Sequence, residues 1–73
     1  MNLSLDDILN YKKINDYILR IAADTYPNIL HYADESLTVY KIDTTTSTIT
    51  LQFLDRHLEE DWLDIPFSVF CKE

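Results

Sequence analysis

The 73-residue chain contains no glycine, where ordinary usage of about 7% would place roughly five. A P-loop and a dinucleotide-binding turn both need backbone that approaches phosphate without a Cβ, so nucleotide chemistry through those motifs is excluded. The EF-hand, whose loop turns on a glycine, goes with them. Cys71 is the single cysteine, which rules out an internal disulfide in a size class where secreted domains ordinarily need such staples. A reducing, cytoplasmic setting is therefore expected. Apolar runs stop at two or three residues, against the roughly 20 that span a bilayer. Asp6 and Asp7 stand near the start, with no basic stretch ahead of an apolar run, so neither a signal peptide nor a membrane association is expected.

Basic residues are scarce. Six Lys and Arg face thirteen Asp and Glu, for a net charge of −7. Affinity for nucleic acid comes mainly from Lys and Arg at phosphates, so direct binding to nucleic acid is disfavoured and a basic protein partner is expected instead. The charge is uneven. Residues 1–33 carry Asp6, Asp7, Asp16 and Asp24 against Lys12, Lys13 and Arg20, a net of −1, which leaves −6 for residues 34–73. The second half carries the field.

The length allows one small domain, residues 1–73. A core of this size rarely supplies more than roughly 3–5 kcal/mol of net stability, so the margin is thin. Ser4, with Asp7 three residues later, signals a capped helix start, and Leu3 can staple onto Ile8. Ile8, Tyr11, Ile14, Ile18, Ile21 and Ala22 follow a 3.6-residue period. Together these predict an amphipathic helix from about residue 4 or 5 to residue 25, stopped by Pro27. The weak helix formers Asn10, Asn15 and Asp16, with Lys12 and Lys13 interrupting the stripe, leave room for a break near Asn10.

Beyond Pro27 the period moves toward two as β-branched and aromatic residues take over. Ile29–Tyr32 reads as a short strand and Leu37–Ile42 as a better one. Asp43–Ser47 reads as a turn. Thr48–Leu54 is the clearest strand, with Ile49, Leu51 and Phe53 on one face and Thr48, Thr50 and Gln52 on the other. Asp55–Asp61 is polar, and Trp62–Ile65 returns as a strand ending at Pro66. Phe67, Val69 and Phe70 either extend that strand or form a helical turn beginning at Pro66. The expected fold is α+β: an N-terminal amphipathic helix packed on a three- or four-stranded antiparallel sheet, with Ile14, Ile18, Ile21, Leu51 and Phe53 buried together.

The densest chemical signal is Asp55, Glu59, Glu60, Asp61 and Asp64, five acids within ten residues that only Arg56 and His57 relieve. Such a cluster repels itself, so it is either a solvated loop or a surface kept for a basic partner. His57 with Glu59, Glu60 and Asp61, even joined by His31, does not match HExxH spacing and has no second cysteine beside it. No metal ion or other cofactor is expected. Cys71 ends the apolar run from Phe67 and reads as a half-buried small hydrophobe rather than a nucleophile. Paired carboxylates would need a walled cleft that so short a chain hardly builds. A non-enzyme is expected. Of Tyr11, Tyr26, Tyr32, Tyr40 and Trp62, residue types that interfaces favour, most read as core or core edge. Tyr17, one position off the helical stripe and near Lys13 and Arg20, reads as either a partner contact or an amphipathic edge residue.

One amphipathic helix, a Thr-rich hairpin, an acidic loop and the closing segment DWLDIPFSVF, Asp61 to Phe70, together resemble the small acidic proteins of bacteriophages and other mobile elements. That group includes anti-CRISPR inhibitors and DNA mimics. The resemblance lies in size, acidity and layout, and it assigns no role to any single residue. It implies a stoichiometric inhibitor whose acidic face blocks a basic, nucleic-acid-facing surface of a host defence complex. Two rivals use the same features: an immunity protein or antitoxin that neutralises a basic nuclease, and a small oligomeric adaptor, such as a homodimer built on Trp62, Phe67 and Phe70.

Overall fold

Ser4 opens the first helical segment with a reciprocal cap: its hydroxyl accepts the Asp7 N–H at 3.2 Å, and the Asp7 carboxylate accepts the Ser4 N–H at 2.9 Å. In the computed structural model, which describes residues 3–31 and 35–71, this segment is α1 (Leu5–Leu9). It ends at Asn10, whose backbone N–H and side-chain amide both donate to the Asp6 carbonyl, at 3.1 and 2.9 Å. A 3₁₀ turn, Tyr11–Lys13, follows. Ile14 then leaves helical geometry (φ −127°, ψ 23°) before α2 (Asn15–Thr25) begins. The single helix expected from residue 4 or 5 to 25 is therefore two helices and a 3₁₀ turn. The bend lets Ile8 of α1 and Ile18 and Ala22 of α2 all bury completely.

Tyr26 breaks α2 (φ −125°, ψ 57°), and Pro27 starts a fresh turn, α3 (Pro27–Leu30). At the first helical position the missing proline N–H costs nothing. The strand expected at Ile29–Tyr32 is thus not formed over its described part: Ile29 and Leu30 are helical, and the His31 N–H donates to the Pro27 carbonyl at 2.9 Å. Tyr32 lies outside the described residues. Leu30 is buried in the core, so the apolar residues that suggested a strand serve a helical turn instead.

Among the described residues the sheet has three antiparallel strands, β1 (Thr38–Asp43), β2 (Thr48–Leu54) and β3 (Glu60–Pro66), in that spatial order. The fold is α+β, with the helical segments preceding the sheet along the chain. In the β1–β2 turn the Asp43 carboxylate accepts the N–H groups of Thr45 and Thr46 at 2.9 and 3.2 Å. In the β2–β3 loop Asp55 does the same for His57 and Glu59 at 2.8 and 3.1 Å. Each turn needs one left-handed residue, and a chain without glycine must spend others there: Ser47 at φ 56° and Leu58 at φ 62°. After β3, Phe67–Val69 form a 3₁₀ turn, so this segment does not extend the strand.

One face of the sheet meets the helices. Ile49, Leu51, Phe53 and Ile65 join Ile8, Ile18, Ala22, Leu30, Leu37, Leu3 and Phe70 in a single buried cluster. Of the expected core, Ile18, Leu51 and Phe53 are buried, whereas Ile14 and Ile21 are only partly so and pack on its flank. The reason is the restart at Asn15. Ile14 stands outside α2 as its N-cap residue, and Ile18 and Ala22, one turn apart, face the sheet.

Candidate partner-binding surface

Among the described residues no helix lies on the opposite face of the sheet, and the residues of that face follow from strand alternation and register. On β3 they are Glu60, Trp62, Asp64 and Pro66. Opposite them on β2 stand Leu54, Gln52, Thr50 and Thr48. β1 adds Thr38, Lys41 and Asp43. Between Val39 and Lys41 the register slips by one residue, so Tyr40 is the extra residue of a β-bulge. The bulge permits Val39 and Ile42, three apart, to pair with Leu51 and Ile49 and pack together against the core, while Tyr40 meets Trp62. Their ring centroids lie 6.2 Å apart at 75°, an edge-to-face contact across the sheet. The pair is nevertheless open to solvent, with Tyr40 57% and Trp62 47% exposed.

Thr50, on the middle strand of this face, is only 4% exposed. Its hydroxyl donates to the Asp64 carboxylate on β3, which satisfies a buried polar group in the way such groups require. Asp64 therefore has a structural bond as well as an exposed position. Asp61 points to the other face at the rim, and its carboxylate accepts the Trp62 backbone N–H at 2.8 Å. That bond occupies a donor of a strand that has one neighbour only, and an acid there discourages edge-to-edge pairing.

Asp55 is chiefly a loop residue. The backbone N–H of Glu59, and then that of His57, hold its carboxyl below the usual carboxylate range. Thr46 and Thr45 act on Asp43 in the same way. Glu59, Glu60 and Asp61 are exposed, so their charge stands in water. Of the five acids singled out in the sequence, Glu60 and Asp64 share the uncovered face with Trp62, Asp61 lies behind them, and Asp55 and Glu59 belong to the preceding loop.

Tyr17 is not part of this arrangement. It is half-buried on α2, packs on the core, and borders an open groove with Lys12, Lys13, Asp16 and Arg20. Being in the helical layer, it lies across the sheet from Glu60 and Asp64. Phe70 is buried and Phe67 partly so, which removes Phe70 from the exposed self-contact imagined with Trp62. Cys71 is half-buried, and burial followed by the Asp7 charge pushes its thiol pKa up, the opposite of what activates a nucleophile. Among the described residues no group of three or more His, Cys, Asp and Glu is placed to hold a metal ion, and no helix is long and apolar enough to cross a membrane.

The contact between Tyr40 and Trp62 is the feature that the sequence did not reveal, although Trp62 was one candidate for a self-contact. Trp62 was legible, since it alternates in phase with Glu60 and Asp64. Tyr40 was not, because an unbroken alternation would put it in phase with Ile42. No family model, curated protein or solved structure matches the chain.

Proposed function

We infer that this chain is a non-enzymatic binding protein that docks, through the acidic side of its sheet, on a basic protein that handles nucleic acid. Its concrete form is a cytoplasmic stoichiometric inhibitor of the anti-CRISPR kind. The observation that carries this reading is the exposed acidic group at the end of the β2–β3 loop and the start of β3, Glu59, Glu60 and Asp61, of which Glu60 shares the uncovered face with an aromatic pair that the fold leaves open. Clustered like charge costs folding stability through self-repulsion, and an opposite charge on a partner relieves it. Aromatic side chains left half in water supply contact area once docked.

The test starts from the basic protein retained by this chain in a host lysate and asks whether equimolar chain displaces nucleic acid from it. Displacement lost on replacing Glu59, Glu60 and Asp61 with their amides is the expected result. Retention of a partner whose nucleic-acid binding is untouched would refute the inhibitor role. An immunity protein uses the same electrostatics, and the identity of the retained protein, nuclease or defence complex, separates the two.

A further inference from the structure

Three sites remain when the loop acids are set aside: the groove bordered by Lys12, Lys13 and Arg20, the thiol of Cys71, and the uncovered sheet face around Trp62. The groove is open, and Asp16 contributes a carboxylate to its own lining. The thiol is half-buried and its pKa is raised. The sheet face carries the argument furthest.

On this face Glu60, Trp62 and Asp64 are alternate residues of one strand, so the two acids stand roughly 6.5 Å along the strand on either side of residue Trp62. Tyr40 adds a second ring, edge-to-face with the first, from the far strand. A planar cation on this aromatic pair thus meets a strand that carries a carboxylate residue on each side of Trp62, and Lys41, opposite Thr50, is the one basic residue among the strand residues of this face. Lysine satisfies the charge but not the shape. A guanidinium stacks on an aromatic face and binds a carboxylate with two parallel N–H groups. Asp64 keeps acceptor capacity after receiving the Thr50 hydroxyl, since an ionised carboxylate takes more than one hydrogen bond.

We propose that the uncovered sheet face, centred on Trp62 and Tyr40 and flanked by Glu60 and Asp64, is the docking surface for an extended, arginine-bearing segment of the basic partner, with one guanidinium stacked on Trp62 between the two carboxylates. This assignment rests on the binding role proposed above and deepens it: the charge complementarity is local to the aromatic pair rather than spread over the acidic loop.

Trp62 is the only tryptophan of the chain, so its emission reports on this face alone. The probe is a fluorescein-labelled peptide of alternating arginine and alanine, compared with a lysine–alanine peptide of equal charge. Trp62 emission is followed in the parent, and probe anisotropy in every variant, after circular dichroism has shown each variant folded. The expected result is a saturable change in Trp62 emission with the arginine peptide, and weaker binding of the lysine peptide. Affinity for the arginine peptide falls about threefold to tenfold in Tyr40→Ala, Trp62→Ala and Glu60→Gln, the size of a lost cation–π or carboxylate contact. It is unchanged in Asp24→Asn, which removes an exposed charge from α2 in the helical layer.

Unchanged Trp62 emission, or equal affinities for the two peptides and across the variants, overturns the assignment. A dimer in sedimentation that Trp62→Ala dissociates overturns it as well, because the occupant is then a second copy of the chain. Failure of this assignment is separable from failure of the binding role. If association with the retained basic protein survives Tyr40→Ala and Trp62→Ala but is lost in the amide variant at 59–61, the acidic loop docks and this face does not. If both sets of changes leave association intact, both proposals fall.

Discussion

The backbone N–H of Leu3 donates to the carbonyl of Phe70 at 3.0 Å, and both side chains are buried in the core. The first and last turns of the described chain are thus held together by a main-chain bond and a shared apolar contact. Phe70, 1% exposed, is among the largest fully buried side chains. Phe70→Ala is therefore expected to cost about 3–5 kcal/mol, which equals the whole stability available to a core of this size. Thermal unfolding followed by circular dichroism should find the variant largely unfolded at room temperature. A melt matching that of the parent would remove Phe70 from the core.

Ile18 makes the equivalent test of the helix–sheet contact. It is wholly buried, while Ile21, on the same helix, is partly exposed. Ile18→Ala should cost about 2–5 kcal/mol and Ile21→Ala less. Denaturant titration of both variants checks the order. The reverse order would mean that α2 presents a different face to the sheet.

Leu58 occupies left-handed backbone at φ 62° with its side chain 79% exposed. Its side chain buries little there, while a left-handed residue with a Cβ carries about 1–2 kcal/mol of backbone strain. Leu58→Gly should therefore stabilise the protein by roughly 0.5–1 kcal/mol once the greater freedom of glycine in the unfolded chain is counted. The same change inside a strand would destabilise. A lower melting temperature for Leu58→Gly would show that the side chain holds the loop.

Acid should weaken both turns. The carboxyl groups of Asp43 and Asp55 have folded pKa values below the ordinary value of 3.8, because backbone N–H groups bind their charged forms. A depressed carboxylate contributes stability that is fully present above its unfolded pKa and is lost as pH falls through the folded one. The melting temperature should therefore hold steady through mildly acidic pH on account of these groups and decline below about pH 4. Asp43→Asn/Asp55→Asn should start lower and lose less over the same interval. A parent and variant that decline in parallel would show that other groups govern acid unfolding.

Association with a basic partner should carry the signature of steering. Charges act on encounter over a screening length of about 8 Å at physiological salt and affect the on-rate most. The association rate of the parent should fall as salt is added. In Glu59→Gln/Glu60→Gln/Asp61→Asn it should start lower and vary less, with the folded state intact because all three side chains are exposed. Equal rates and equal salt slopes would place the contact elsewhere, with the helical surface around Lys13, Tyr17 and Arg20 as the next surface to examine.

Local chemistry accounts for what could be read in advance. The cap at Ser4 and Asp7 joins residues three apart, and the signal for it is just as local. Thr48–Leu54 forms over its expected bounds because its alternation matches a strand with one face on the core and residues of a one-sided sheet must alternate so. The interruption at Asn10 was visible as weak helix formers beside two lysines. What local pattern could not distinguish was a short apolar stretch at Ile29 and Leu30, which is compatible with either a strand or a turn of helix. Pro27 at the first helical position, together with a place for Leu30 in the core, selected the helix.

By itself, then, the sequence determined the charge, the absence of glycine-dependent sites, the two secondary-structure periods and the existence of an acidic segment. Only the tertiary structure decided which acids share a face. Asp55 is turned inward to its loop amides, Asp64 takes the Thr50 hydroxyl from the neighbouring strand, and Tyr40 reaches Trp62 because a one-residue slip in β1 shifts its phase. The physical reason is that a side-chain period of two assigns a face only while pairing is regular. A bulge is set by how two strands fit one core, with Val39 and Ile42 both packed against it, and no single strand carries that information.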